Sequence, residues 1–161
     1  MTATLDTLDV RILDALQKDV TESVIDLAER LASSKSVVWR RIQRLVDLGV
    51  IKERVAIVDP QKVGLNVLVL AHVKMARHGR DALPKFLEAV KKFPQVIECH
   101  TLMGNVDFLL KILVRDVKDY EQFFWNQLSK LDGVQEISSS ISMSQVVNTT
   151  RVPVKVSDGG A

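Results

Sequence analysis

Apolar positions recur at helical spacing through the first third of the chain. Leu8, Ile12, Ala15 and Leu16 mark one stripe, which predicts an amphipathic helix over residues 7–18. Val24, Leu27, Ala28 and Leu31 repeat the i, i+3, i+4, i+7 rule and predict a second helix. Ala32-Ser33-Ser34 leaves room only for a tight turn. Ser34 is placed to cap a third helix, because its hydroxyl can accept a free amide hydrogen of the first helical turn. Val38, Ile42 and Leu45 form the inward stripe of that helix, and Gly49 supplies its stop.

The pattern then changes. Residues 50–58 (VIKERVAIV) are β-rich and end at Asp59-Pro60, so they are expected to form a connecting strand, with Pro60 to Gly64 as a hinge. Residues 66–76 form a long β run. Leu83, Phe86, Leu87, Val90 and Phe93 predict a helix that starts near Asp81, accommodates Pro84 in its first turn and stops at Pro94. Strands are expected at 96–103 and 107–114, separated by a Gly104-Asn105 turn. Val117, Tyr120, Phe124, Leu128 and Leu131 predict another helix, ended by Gly133, before a last strand over 134–148. The small polar tail from Ser157 is expected to fray.

This order, β-α-β-β-α-β, is the ferredoxin-like pattern of a four-stranded antiparallel sheet with both helices on one face. The fold class is therefore α+β. A helix-turn-helix domain (5–54) precedes a connecting strand and hinge (55–64), a ferredoxin-like domain (65–154) and a flexible tail (155–161). The helices cover only one face of such a sheet. Its first strand is apolar on both sides, with Val67, Val69, Ala71 and Val73 on one and Leu68 and Leu70 on the other. A second copy is expected to cover the open face, giving a dimer.

Composition sets bounds. With 161 residues, 47% of them apolar, the chain can bury one or two small cores but not a large enzyme fold. No apolar stretch reaches the roughly 18 residues that span a bilayer. The start, MTATLDTLDV, has neither a basic nor an apolar signal region, so a cytoplasmic location is expected. The single cysteine, Cys99, and the scattered His72, His78 and His100 offer no metal-ligand spacing and read as ordinary structural residues. No cofactor is expected. Charge is more informative. Residues 1–33 sum to −4 and residues 34–54 to +4, a step that falls at Ser34. A duplex phosphate backbone attracts the second segment and repels the first.

Three short helices ending in a Ser-capped basic one make a helix-turn-helix, whose last helix enters the major groove by its N-terminal part. With Val38, Ile42 and Leu45 turned inward, Lys35, Ser36, Trp39, Arg40 and Gln43 project outward. Arg40 and Gln43 carry the edges that read guanine and adenine. Lys35, Arg44, Lys52 and Arg54 suit phosphates. Trp39 suits a sugar or a thymine methyl.

The segment DLAERLASSKSVVWRRIQRLVDLGVI resembles the helix-turn-helix of the Lrp/AsnC regulators, through Leu27-Ala28, Ser34, Arg41-Ile42, Arg44-Leu45 and Gly49-Val50-Ile51. VIECHTLMGNVDFLLKI and LDGVQEISSSISM resemble segments of that family's second domain, so the likeness runs over residues 5–154. It implies a sequence-specific transcriptional regulator that binds double-stranded DNA through Ser34, Lys35, Ser36, Trp39, Arg40, Arg41, Gln43 and Arg44. It implies dimers that assemble to octamers, with an amino acid or related metabolite bound between dimers and shifting assembly or DNA affinity. The effector residues it implies are Gly104, Asn105 and Asp107, with Val117, Ser140 and Ser142 as weaker matches. Asp107 could pair with an α-ammonium group; alternatively, Gly104 and Asn105 make a turn that Asp107 caps. Two departures stand out. Ala32-Ser33 replaces a glycine and an apolar residue in the turn, and Asn105 replaces an acid.

An enzyme is disfavoured, because no Ser/His/Asp or Cys/His constellation, carboxylate pair or phosphate-cradling glycine loop is present. Cys99 and His100, adjacent in a strand, point to opposite faces. The remaining alternative is an oligomeric protein–protein adaptor that senses a small molecule and binds no DNA.

Overall fold

The computed structural model describes residues 3–76 and 82–157. His78 and the expected helix start at Asp81 lie outside the described residues. The chain divides into two compact units. One comprises the described residues up to Ala56 together with those from Val147 onward; the other runs from Ile57 to Val146.

The first unit contains α1 (Thr7–Leu16), α2 (Val24–Arg30) and α3 (Lys35–Asp47). Each start is capped by a short polar side chain in extended conformation: Asp6 accepts from the Asp9 N–H, Ser23 from Asp26 and Ser34 from Val37. The inward stripes meet in one core of Ile12, Leu13, Ala15, Leu27, Ala28, Leu31, Val38, Ile42 and Leu45. Helices α2 and α3 end alike. After α3, Gly49 (φ +68°) donates to Val46 O and Val50 to Leu45 O. After α2, Ala32 donates to Glu29 O and Ser33 to Ala28 O, the same Schellman pair of bonds. Here the left-handed residue is Ala32, at φ +50°, a conformation that crowds its Cβ.

In the second unit a 3-10 turn, Gln61–Val63, leads into the sheet. The elements are β1 (Val67–Met75), α4 (Ala82–Val90), β2 (Val96–Thr101), β3 (Phe108–Val114), α5 (Val117–Asn126) and β4 (Val134–Ile141). The strand order is β2-β3-β1-β4, and every pairing is antiparallel. Val69, Ala71 and Val73 of β1 and Phe108, Leu110, Ile112 and Val114 of β3 alternate onto one face. There they pack with Phe86, Val90, Tyr120, Phe123 and Leu128. The opposite face carries Leu68, Leu70 and His72, and Leu109, Lys111 and Leu113, all partly exposed.

Four expectations from sequence change. Residues 50–58 do not form a strand. They have strand composition, but no ladder partner among the described residues, and Val55, Ile57 and Val58 are exposed. The last strand stops at Ile141 rather than 148, because its partner runs out: Ile141 faces Val69, and Ser142 makes one more bond, to Leu68 O. The helix after Val117 ends at Asn126, and Leu128–Lys130 continue as a 3-10 turn. The described part of the tail is held rather than frayed, and the segment from Val147 belongs with the helices rather than the sheet.

Candidate functional site

Helix α3 buries one side completely: Val38 and Leu45 are 0% exposed. A 3.6-residue period then turns Ser36, Trp39, Arg40 and Gln43 the other way. Ser34, Lys35, Ser36, Trp39, Arg40 and Gln43 are all exposed. Trp39 is 59% exposed, an uncommon state for so large an apolar side chain. Ser34, Lys35, Ser36, Val37, Trp39 and Arg40 line an open depression at the start of the helix. The ion pairs among the described residues involve neither Lys35 nor Arg40. Gln43 is partly engaged: its Nε2 donates to Asp47 Oδ1 at 3.1 Å, so two-point contact with adenine requires that bond to open.

Arg41 and Arg44 sit differently from the outward set. Arg41 Nη1 donates to Asp6 Oδ2 at 2.5 Å and Asp9 Oδ1 at 3.2 Å. Arg44 donates to Asp9 Oδ2 at 2.9 Å and to the Thr4 carbonyl at 3.0 Å. Asp9 is 1% exposed, and a carboxylate so buried requires partners of this kind. Its other role is in α1: the Asp6 carboxylate accepts from the Asp9 N–H while the Asp9 carboxylate accepts from the Asp6 N–H, a reciprocal cap. The Asp6 carboxyl is held below its ordinary value, first by the Asp9 amide and then by Arg41, whose own pKa rises against Asp6. The two arginines expected at DNA therefore clamp α3 to α1, and they reach solvent only in part. The charge and position of these arginines point to phosphates and hide the clamp, although Asp6-x-x-Asp9 ahead of an apolar stripe is a legible capping pattern.

In the sheet unit, Gly104, Asn105 and Asp107 share the β2–β3 loop. Gly104 has φ +153°, a conformation that L side chains rarely adopt, and its α-carbon faces open space. Asp107 is an anchor: its Oδ2 accepts from the Met75 N–H at 2.7 Å, its own N–H donates to Val73 O, and its carbonyl accepts from Leu102. The Asp107 carboxylate therefore ties the loop to β1, to a residue outside the Gly104–Asn105 turn.

The other three positions lie elsewhere. The loop joins β1 at Val73–Met75, whereas Ser142 bonds Leu68 and Ser140 pairs with Leu70. Five residues of β1 separate Val73 from Leu68, about 17 Å along the strand. Val117 follows β3 beyond Val114, which faces Val67 at that same far end. It lines an apolar hollow of about 390 Å³ with Tyr120, Glu121, Phe124, Trp125, Ile137 and Ser139. Gly104, Asn105 and Asp107 thus share one loop, while Ser142 lies at the far end of β1, Ser140 opposite its middle at Leu70, and Val117 beside Ile137 and Ser139. Cys99 faces Leu110 and His100 faces Leu109, on opposite sides of the sheet, and burial pushes the Cys99 thiol up.

Comparison with known proteins bears on both units. A winged helix-turn-helix DNA-binding model matches residues 5–52, and the Lrp/AsnC ligand binding domain matches residues 68–152. The glutamate uptake regulatory protein of Zymomonas mobilis is 37% identical over 150 residues, covering 93% of this chain and 91% of its own length. An AsnC family transcriptional regulator from Agrobacterium tumefaciens is 39% identical with a TM-score of 0.88, covering 92% of this chain and 97% of its own. A transcriptional regulator from Neisseria meningitidis, solved in complex with L-Met, is 32% identical with a TM-score of 0.89, covering 93% and 97%.

Proposed function

The chain belongs to the Lrp/AsnC family of transcriptional regulators, and from that premise we propose how its residues divide the work of a DNA-binding, amino-acid-responsive regulator. Arg40 and Gln43 read base edges, Trp39 packs on a sugar or a thymine methyl, and Lys35 and Ser36 meet phosphates at the helix start. Lys52 and Arg54 extend the basic strip beyond α3. Arg41 and Arg44 orient the reading helix through Asp9, and their partly exposed guanidiniums add to the local field.

The effector is an amino acid or related metabolite. Its site takes Gly104, Asn105 and Asp107 from one copy and Val117, Ser140 and Ser142 from another. The separation of Ser142 from the loop, about 17 Å within one chain, supports that division for Ser142, because no amino acid bridges it. The partly exposed leucines Leu68, Leu70, Leu109 and Leu113 form the face on which two copies pair, and such dimers assemble to the octamer. The protein acts in the cytoplasm.

The observation that carries the proposal is the outward face of α3, where an exposed tryptophan stands beside Lys35 and Arg40, two cations outside the ion pairs of the described residues. The test is a gel-shift on DNA upstream of the protein's own and neighbouring genes, at about 50 and 200 mM salt, with and without amino acids. Contacts with several phosphates predict a loss of orders of magnitude in affinity between those salts. A selective, salt-sensitive shift altered by one amino acid is the expected result. No selective shift under any condition would overturn the reading and leave the adaptor.

A further inference from the structure

Beyond Ile141 the chain has no helix or strand up to its last described residue, Ser157, yet its end is firmly placed. One side chain holds both backbone groups of Val152: Gln17 Nε2 donates to Val152 O at 3.2 Å, and the Val152 N–H donates to Gln17 Oε1 at 2.7 Å. Five residues later the Ser157 N–H donates to Leu5 O at 3.0 Å, and the Leu5 N–H donates to Ser157 Oγ at 2.8 Å. Between these anchors Val154 packs on the helical core, which Leu5, Leu8 and Leu16 also border.

The lengths match. From Leu5 to Gln17 is about 18 Å at the helical rise of 1.5 Å per residue. From Val152 to Ser157 is at most about 17–18 Å of extended chain. Residues 152–157 therefore run the length of α1, antiparallel to it, with no slack. A displacement at Val152 passes to Ser157 instead of being absorbed. Helix α1 in turn holds α3 through Asp9, Arg41 and Arg44.

We propose that the flank of α1 is a docking surface for this C-terminal strap, and that the strap is a second tie, besides the 50–58 linker, by which effector state reaches α3. The route is covalent at its start: β4 carries Ser140, Ser142 follows it, and Val152 is ten residues further on. The proposal rests on the amino-acid-effector reading above.

The test uses full-length protein and two variants confined to the strap, so that the three helices keep their sequences. Val152→Pro deletes the N–H that bonds Gln17, and Val154→Asp opposes burial against the helices. Hydrogen exchange at Leu5 reports docking: protection in the wild type, and loss of it in both variants. DNA affinity is then titrated with and without millimolar L-methionine, L-leucine or L-glutamate. An effector that shifts wild-type affinity by a factor typical of allosteric coupling, about 5- to 150-fold, should shift the variants by less than about twofold. Variants that release Leu5 yet keep the wild-type shift would overturn the strap and leave the effector reading standing. An unprotected Leu5 in the wild type would overturn the docking itself. A wild type that answers none of the three amino acids would remove the effector reading and the strap's role with it.

Discussion

On α3, Lys35, Ser36, Trp39, Arg40 and Gln43 come from a single helix, whose period sets their common direction. In the sheet unit, Gly104, Asn105 and Asp107 lie in one loop at one end of β1, Ser140 opposite its middle, Ser142 at its other end and Val117 in a separate hollow. The first site is finished within one chain. The second, on the reading proposed above, is finished only by assembly. A DNA-reading surface of this kind works wherever its helix is held rigid, whereas a ligand site divided between copies ties occupancy to how the copies meet. That difference gives the two units their separate parts in a regulator.

The rigidity of the first site rests on Asp9. Replacing it by Ala leaves Arg41 and Arg44 without their buried partner and breaks the reciprocal cap of α1, so about 3 kcal/mol of the helical unit's stability should be lost. Calorimetry should show the helical transition moving down while that of the sheet unit stays. A joint shift would mean that the two units are not energetically separate.

The second site can be sharpened with Asp107. Asp107→Asn keeps an oxygen to accept the Met75 N–H but removes the charge. The loop should stay folded, while the effector-induced change in DNA affinity, typically about 1–3 kcal/mol of coupling, should vanish. Retained coupling would assign Asp107 to the turn alone. Ala32→Gly probes the helical unit more gently. It relieves a left-handed alanine at the cost of a looser unfolded chain, for a net gain of up to about 1 kcal/mol in thermal unfolding.

Acid should give the smallest effect and act on both units, because Arg115 holds the pKa of Asp119 in the sheet unit at about 2. The folded pKa of Asp6 lies below its ordinary 3.8, held there first by the Asp9 amide. A depressed carboxyl contributes its full stability above the unfolded value and loses it as pH falls through the folded one. The helical transition should therefore be steady above about pH 5 and weaken below 3.8, and Asp6→Asn should flatten that fall.

Local period made most of the fold legible. The three helices, the caps at Ser34 and Gly49, and the β-α-β-β-α-β order all follow from spacings of 3.6 and 2. The features that escaped depend on partners distant in sequence. Residues 50–58 have the composition of a strand but no neighbour to pair with among the described residues. Residues 142–148 lost theirs where β1 begins. Arg41 and Arg44 look like phosphate ligands by charge and position, and only the fold brings Asp6 and Asp9 some 35 residues to meet them. Gln17 and Val152 are 135 residues apart, and neither is unusual where it stands. The outward face of α3 was legible because one helix builds it; the separation of the effector residues was not, because it depends on strand register.

The measurement closest to the central claim is fluorescence anisotropy of full-length protein and of Arg40→Ala on an upstream duplex and on a scrambled duplex of equal length. The account predicts that wild type prefers the upstream duplex, and that Arg40→Ala loses about 1–3 kcal/mol on that duplex with little change on the scrambled one. An equal loss on both would make Arg40 a phosphate contact. No preference by the wild type at any salt would contradict the assignment of α3 as the reader of sequence.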